Sequence, residues 1–93
     1  MDNSERILII TLNGWNIKWL MNYGVFTIGF TKETLKSDLV TGGTPAFVFR
    51  GERVDFGFEE WKFRVDEEFD LDVFKDFLNR MGYSCTARIE GEI

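Results

Sequence analysis

Short runs of alternating apolar and polar residues, separated by glycine-containing turns, constrain the fold of this chain more than any other feature. Alternation with a period of two places successive side chains on opposite faces of an extended strand. The run from Trp61 to Val65 is a clear case, because aromatic and aliphatic residues alternate there with Lys62 and Arg64. One apolar face and one charged face are typical of an antiparallel sheet that exposes one side to water.

The N-terminal part of the chain predicts a three-stranded meander. Residues 6–12 are rich in β-branched residues and precede Asn13-Gly14, a dipeptide that readily supplies the positive φ angles of a type I′ turn. Alternation over 15–22 favours a second strand, although apolar residues at helical spacing in the same stretch leave a short helix open. A second turn then leads to a third run at 25–31.

The middle of the chain is less regular. Residues 32–40 allow either a short helix or a loop, and the glycines and proline of 41–45 disfavour any regular element. The runs at 46–50 and 54–58 flank Gly51-Glu52, which we interpret as a hairpin turn that begins with glycine.

A helix is predicted over residues 70–81. Asp70 is a good N-cap, Asp72 and Arg80 complement the helix dipole at its two ends, and Gly82 suits a left-handed C-terminal position. Apolar residues three and four positions apart give this helix one apolar face. A final strand is expected at 83–90.

These elements predict an α+β fold, in which a small antiparallel sheet of about six or seven short strands carries the amphipathic helix 70–81 on one face. The chain has 93 residues, of which 44% are hydrophobic and 16% aromatic. That length and that supply of core residues predict a single domain over 1–93.

The composition argues against catalysis. The chain has no histidine and one cysteine, so the usual general base, most zinc sites and any intrachain disulfide are missing. Cys85 alternates with apolar residues and is interpreted as a small buried hydrophobe. We therefore expect a protein that is not an enzyme, with no catalytic residues, no metal site and no cofactor.

The sequence also bears on location. The N-terminal residues lack the basic leader and apolar stretch of a secretory signal, and no window approaches a membrane-spanning length. We expect a cytoplasmic protein without membrane association, and a location in the host cytoplasm if the source is a virus.

Negative charge is concentrated in one segment. The chain has a net charge of −5, but residues 1–51 carry +1 and residues 52–93 carry −6. Seven carboxylates fall within residues 59–72, and we predict that they bind a partner: Glu59, Glu60, Asp66, Glu67, Glu68, Asp70 and Asp72. We expect them to form one continuous flank of the molecule.

Three interpretations of these carboxylates compete. They can keep a sheet edge soluble and favour the start of a helix. They can dock onto a basic partner, where complementary charge speeds encounter and fixes orientation. Calcium binding is disfavoured, because a calcium loop counted from Asp66 would need glycine and glutamate where Leu71 and Phe77 stand.

Aromatic residues at alternate strand positions suggest a second surface. We expect some of them to mediate self-association, and name Trp15, Trp19 and Trp61. Stacking of nucleic-acid bases on them would also require a positively charged groove, and a chain with a net charge of −5 is repelled by a nucleic-acid backbone. Direct binding of nucleic acid is therefore not expected.

A small, acidic, aromatic-rich chain without catalytic groups is similar in composition to phage-encoded inhibitors of host nucleic-acid machinery, which include anti-CRISPR proteins and DNA mimics. This likeness implies a viral protein that binds a partner with a basic surface, such as a nucleic-acid-binding complex, and blocks it. The alternative is a homo-oligomeric structural or accessory protein, for example a homodimer, assembled through exposed aromatic residues.

Overall fold

The computed structural model describes residues 6–31 and 46–90. Within these residues the chain forms six strands and one helix: β1 Arg6–Thr11, β2 Asn16–Asn22, β3 Val25–Thr31, β4 Phe47–Phe56, β5 Glu60–Val65, α1 Leu71–Met81 and β6 Thr86–Glu90. The strands form one sheet in the order β2-β3-β4-β5-β1-β6, and all neighbouring strands are antiparallel. The predicted α+β fold is confirmed.

The core lies between α1 and the face of the sheet that carries the aromatic side chains. Phe26, Phe63 and Phe74 are fully buried there. Phe47 on β4 packs against Phe74 on α1 with ring centroids 4.8 Å apart. Burial of each such ring contributes roughly 1.5–3 kcal/mol to folding, so these side chains fix the helix on the sheet.

The opposite face of the sheet is charged. Arg64 on β5 forms an ion pair with Glu52 on β4 at 2.7 Å. Ile9 of β1 is nonetheless buried on this face, because its register partners are Lys62 on one side and Arg88 on the other. Long basic side chains can cover an apolar neighbour with their methylene groups while their charged ends stay in water.

The helix forms as predicted. The Asp70 side chain accepts hydrogen bonds from the backbone N–H groups of Asp72, at 3.0 Å, and Val73, at 3.3 Å. Gly82 ends the helix with φ 76°, in the left-handed region that glycine tolerates best.

The predicted meander is wrong, although its turns and strands are present. Asn13 and Gly14 do adopt positive φ angles, and β2 is a strand and not a helix. However, β1 pairs with β5 and β6, whereas β2 pairs with β3 alone among the described residues. The reason is that β1 buries Leu8, Ile9 and Ile10 in succession. Ile9 is covered by Lys62 on β5 and Arg88 on β6, so its burial requires a neighbouring strand on each side of β1.

The predicted hairpin turn at Gly51-Glu52 is also wrong. Residues 47–56 form the single strand β4, and the chain turns after Phe56 instead. A Cβ atom added at Gly51 would collide with the backbone carbonyl oxygen of Arg64 on β5. Glycine is therefore present because two strands approach closely, and not because the chain reverses.

Two further differences concern the ends of predicted elements. The last strand begins at Thr86, so residues 83–85 precede it, although Cys85, Ala87 and Ile89 are buried in alternation as expected. The helix-or-loop alternative at 32–40 and the break at 41–45 lie outside the described residues.

Replacement of Gly51 by alanine is expected to lower the free energy of unfolding by about 1–3 kcal/mol, because β4 and β5 must move apart to admit the methyl group. Urea denaturation followed by tryptophan fluorescence measures the loss. Gly57→Ala is the matched control, since the nearest atom to its added Cβ is the Glu60 carbonyl oxygen at 3.3 Å, and it should cost less. Equal losses in both variants would contradict the close-approach explanation.

Candidate functional site

The seven predicted partner-binding carboxylates divide into two groups at opposite ends of β5. Glu59 and Glu60 lie at its start, whereas the other five follow its end. A six-residue strand extends roughly 20 Å. The structure therefore brings Asp66, Glu67, Glu68, Asp70 and Asp72 together on residues 66–72, which we name the acidic turn, and places the remaining two elsewhere.

Glu59 and Glu60 lie in a different setting. The Glu59 carbonyl oxygen accepts a hydrogen bond of 2.8 Å from the Leu12 N–H. The Glu60 carboxylate lies 3.5 Å from the Arg88 guanidinium on β6. The charge of Glu60 is thus partly offset by a neighbouring cation.

A single arginine organises the backbone of the acidic turn. Nη1 of Arg6, the first residue of β1, donates to the carbonyl oxygens of Asp66 at 3.0 Å, Glu67 at 3.4 Å and Phe69 at 2.9 Å. The Phe69 side chain is buried and anchors the turn in the core. The acidic turn is therefore tied to the sheet at several points.

Three of the five carboxylates have a role in the local structure. Oδ1 of Asp66 accepts a hydrogen bond of 3.0 Å from the Glu68 N–H, which closes a tight local turn. Asp70 caps α1, and Asp72 lies in its first turn, where the helix dipole favours negative charge.

The carboxylates of Glu67 and Glu68 have no such role. All five acidic residues of the turn are exposed. Among residues 6–31 and 46–90, no cation forms an ion pair with any of their carboxylates. The acidic turn thus presents concentrated negative charge to solvent on a fixed backbone.

Groups that could perform chemistry are few in the described part of the chain. No three Asp, Glu or Cys side chains there are placed to hold a metal ion. Cys85 is buried, as the alternation predicts, and its Sγ lies 3.3 Å from the Leu12 carbonyl oxygen. Burial raises the pKa of the Cys85 thiol to about 11, so it is protonated at neutral pH and a poor nucleophile.

The three tryptophans predicted to mediate self-association differ in exposure. Trp15 packs edge-on against Tyr83 at 4.8 Å, and its Nε1 donates to the Ser84 hydroxyl at 2.9 Å. Trp61 stacks on Phe56 at 3.8 Å. Both are half-buried against the core. Only Trp19, which is 39% exposed, offers a large free surface.

Sequence reasoning missed three apolar residues near Trp19. Leu20 is 73% exposed, Met21 is 54% exposed and Tyr23 is 93% exposed, and all three lie on β2 or in the turn that follows it. The signal that could have identified them is the succession of apolar residues on both faces of β2, just before a short turn. At the edge of a sheet, some of these side chains remain exposed.

Comparisons of the chain with protein-family models, with curated proteins and with solved structures find no match. No helix in the described part of the chain is long and apolar enough to cross a bilayer.

Two substitutions at Asp70 separate its capping role from its charge. Asp70→Ala removes the acceptor for two backbone N–H groups and should destabilise the protein by about 1 kcal/mol. Asp70→Asn keeps an equally good capping group and should stay within a few tenths of a kcal/mol of the parent. Thermal and urea unfolding measure both. A loss as large in Asp70→Asn as in Asp70→Ala would show that charge, and not capping, is what stabilises this end of the helix.

Proposed function

We propose that this protein binds the basic surface of a larger protein through the acidic turn and thereby blocks that surface. The observation that carries the proposal is the set of five exposed carboxylates that have no cationic partner among the described residues and stand on a backbone fixed by Arg6 and Phe69. The partner we favour is a protein that itself binds nucleic acid, because its surface is built to receive closely spaced negative charges. In this proposal the chain acts as a DNA mimic, the action found in some viral inhibitors.

The rigidity of the turn supports this proposal as much as its charge does. Ordering a flexible segment during association costs free energy, and a segment that is already fixed avoids that cost. Complementary charges then steer the two molecules together and select their orientation. The same negative charge repels phosphates, so the proposal assigns the protein a protein partner and not a nucleic acid.

The proposal predicts that Glu67→Lys, Glu68→Lys and Asp70→Asn, combined in one variant, abolish partner binding. The first two changes reverse the charges that have no structural role, and the third removes a charge while retaining the helix cap. The parent and the variant serve as baits for affinity capture from cells of the source organism. Some proteins should be retained by the parent and lost with the variant. These proteins should elute from the parent as the salt concentration rises from about 50 to about 500 mM, because the electrostatic screening length falls well below 10 Å over that range.

The matched control is Glu59→Lys, which reverses an exposed charge at the far end of β5. It should leave capture unchanged, because it lies outside the acidic turn. Retention of the same proteins by the parent and by the triple variant, with both folded, would reject the proposed function.

A second candidate function rests on the edge of the sheet. Within residues 6–31 and 46–90, β2 is a seven-residue edge strand that pairs only with β3, and it exposes Trp19, Leu20 and Met21. Native proteins usually protect such edges, because an exposed apolar edge strand can pair with another chain. On this alternative, the chain is a homo-oligomer that assembles through β2, and the carboxylates serve only to keep it soluble.

Self-association through β2 predicts that Leu20→Lys dissociates the assembly, since an ammonium group would lie on the strand that must pair. Sedimentation velocity over a range of protein concentrations measures the effect, with Val54→Lys as the control at an exposed apolar residue of β4. Raising the salt concentration should leave an apolar assembly intact or strengthen it. A parent protein that is monomeric at all concentrations would eliminate this alternative.

A further inference from the structure

The first part of β4, residues 47–50, has an open edge next to the acidic turn in the described part of the chain. β4 pairs with β3 through Phe47–Arg50 and with β5 through Gly51–Phe56. β5 ends at Val65, which lies opposite Gly51, and the chain then leaves the sheet. The first four residues of β4 therefore have a neighbouring strand on one side only among the described residues.

The backbone of β4 offers hydrogen-bonding groups to this open side. The Gly51 N–H donates to the Gly24 carbonyl oxygen at 3.0 Å, so Gly51 directs its polar groups toward β3. Polar groups alternate in direction along a strand, and those of Arg50 and Val48 must point away from β3. Because the pairing of β4 with β5 ends at Gly51 and Val65, the Val48 N–H and C=O and the Arg50 N–H have no hydrogen-bond partner among the described residues.

These free groups border a groove of about 270 Å³. Its apolar lining includes Phe47, Phe49 and Phe69, and three carboxylates of the acidic turn stand along it, namely Asp66, Glu68 and Asp70. Arg50 is the one basic residue among the described residues that line the groove, so the net charge of this lining is negative. The groove thus combines an unpaired strand edge, an apolar floor and an acidic rim.

We propose that an extended segment of the partner, rich in lysine or arginine, adds to the sheet as a strand beside residues 47–50 of β4. This inference rests on the proposed function and assigns its mode of recognition. Main-chain hydrogen bonds to Val48 and Arg50 provide affinity, as in other cases of strand addition to a sheet edge. The acidic rim selects a basic occupant, because an acidic segment would be repelled by Asp66, Glu68 and Asp70.

Strand addition is tested with a capped synthetic peptide of alternating lysine and valine. Two controls accompany it: the same peptide with every interior amide nitrogen methylated, and an alternating glutamate–valine peptide. The lysine–valine peptide should bind and slow the hydrogen exchange of the Val48 and Arg50 amides, as observed by NMR. Methylation removes the donors that a strand needs, and it should weaken binding about tenfold or more, while the glutamate peptide should not bind.

A substitution in the protein tests the same contact from the other side. Val48→Pro removes an N–H that points into the groove and that makes no hydrogen bond to β3, whereas Val48→Ala keeps this N–H and only shortens the side chain. We expect Val48→Pro to weaken binding of the lysine–valine peptide about fivefold to tenfold, and Val48→Ala to have a smaller effect. If Val48→Pro does not fold, the methylated peptide decides the question on the parent protein.

The outcomes separate this inference from the proposed function. Equal affinity for the methylated and unmethylated peptides would overturn strand addition, since charge alone would then explain the binding. A second outcome is that the triple variant of the acidic turn loses partner capture while Val48→Pro keeps it in full. That result would support the proposed function and reject strand addition. Protection of the Val48 and Arg50 amides without any peptide would show that a second copy, or another part of this chain, fills the groove, and would also reject it.

Discussion

The rest of the structure depends on one constraint, which is that β4 changes its neighbouring strand at Gly51. At this residue β4 leaves β3 and joins β5, and the absence of a side chain lets the β5 backbone approach. Three buried rings bind this junction together. Phe26 lies 5.5 Å from Phe49 and 5.0 Å from Phe63, and Phe49 lies 5.1 Å from Phe63. Strands that are not adjacent in the sheet are thus joined through the aromatic core.

The position of the acidic turn follows from that junction. Because β5 is held opposite β4 only as far as Gly51, the chain is free to leave the sheet after Val65. Arg6 is the register partner of Val65 on the other neighbouring strand, β1, and its guanidinium reaches the carbonyl groups that the departing chain exposes. In the part of the chain that the structure describes, the same departure leaves residues 47–50 of β4 with a neighbouring strand on one side only. One change of pairing therefore produces both the acidic turn and the groove beside it.

The sequence allowed the local elements to be predicted, because their signals are local. The cap at Asp70, the glycine at Gly82 and the alternation from Trp61 to Val65 each act within a few residues. Strand order was not predictable in the same way. Asn13-Gly14 makes the expected turn, but pairing of β1 with β5 and β6 depends on burial against residues far away in the chain.

The candidate site was predictable only in part for the same reason. Charge density along the chain located the carboxylates, and the structure places five of the seven together. Their division at the two ends of β5 depends on where that strand begins and ends. The groove was not foreseen at all, since it exists only because β4 and the acidic turn, which are distant in sequence, lie side by side.

The function proposed for the acidic turn depends on where its negative charges lie, and not on the net charge of the protein. Solubility depends on net charge, and carboxylates anywhere on the surface would serve it equally well. Local structure accounts for Asp66, Asp70 and Asp72, which close a turn, cap a helix and complement its dipole. It does not account for Glu67 and Glu68, which add like charge where three carboxylates already repel one another. No cation among the described residues offsets the repulsion between these five carboxylates. Binding of a basic partner at the acidic turn would offset it, and would explain why the carboxylates are concentrated there.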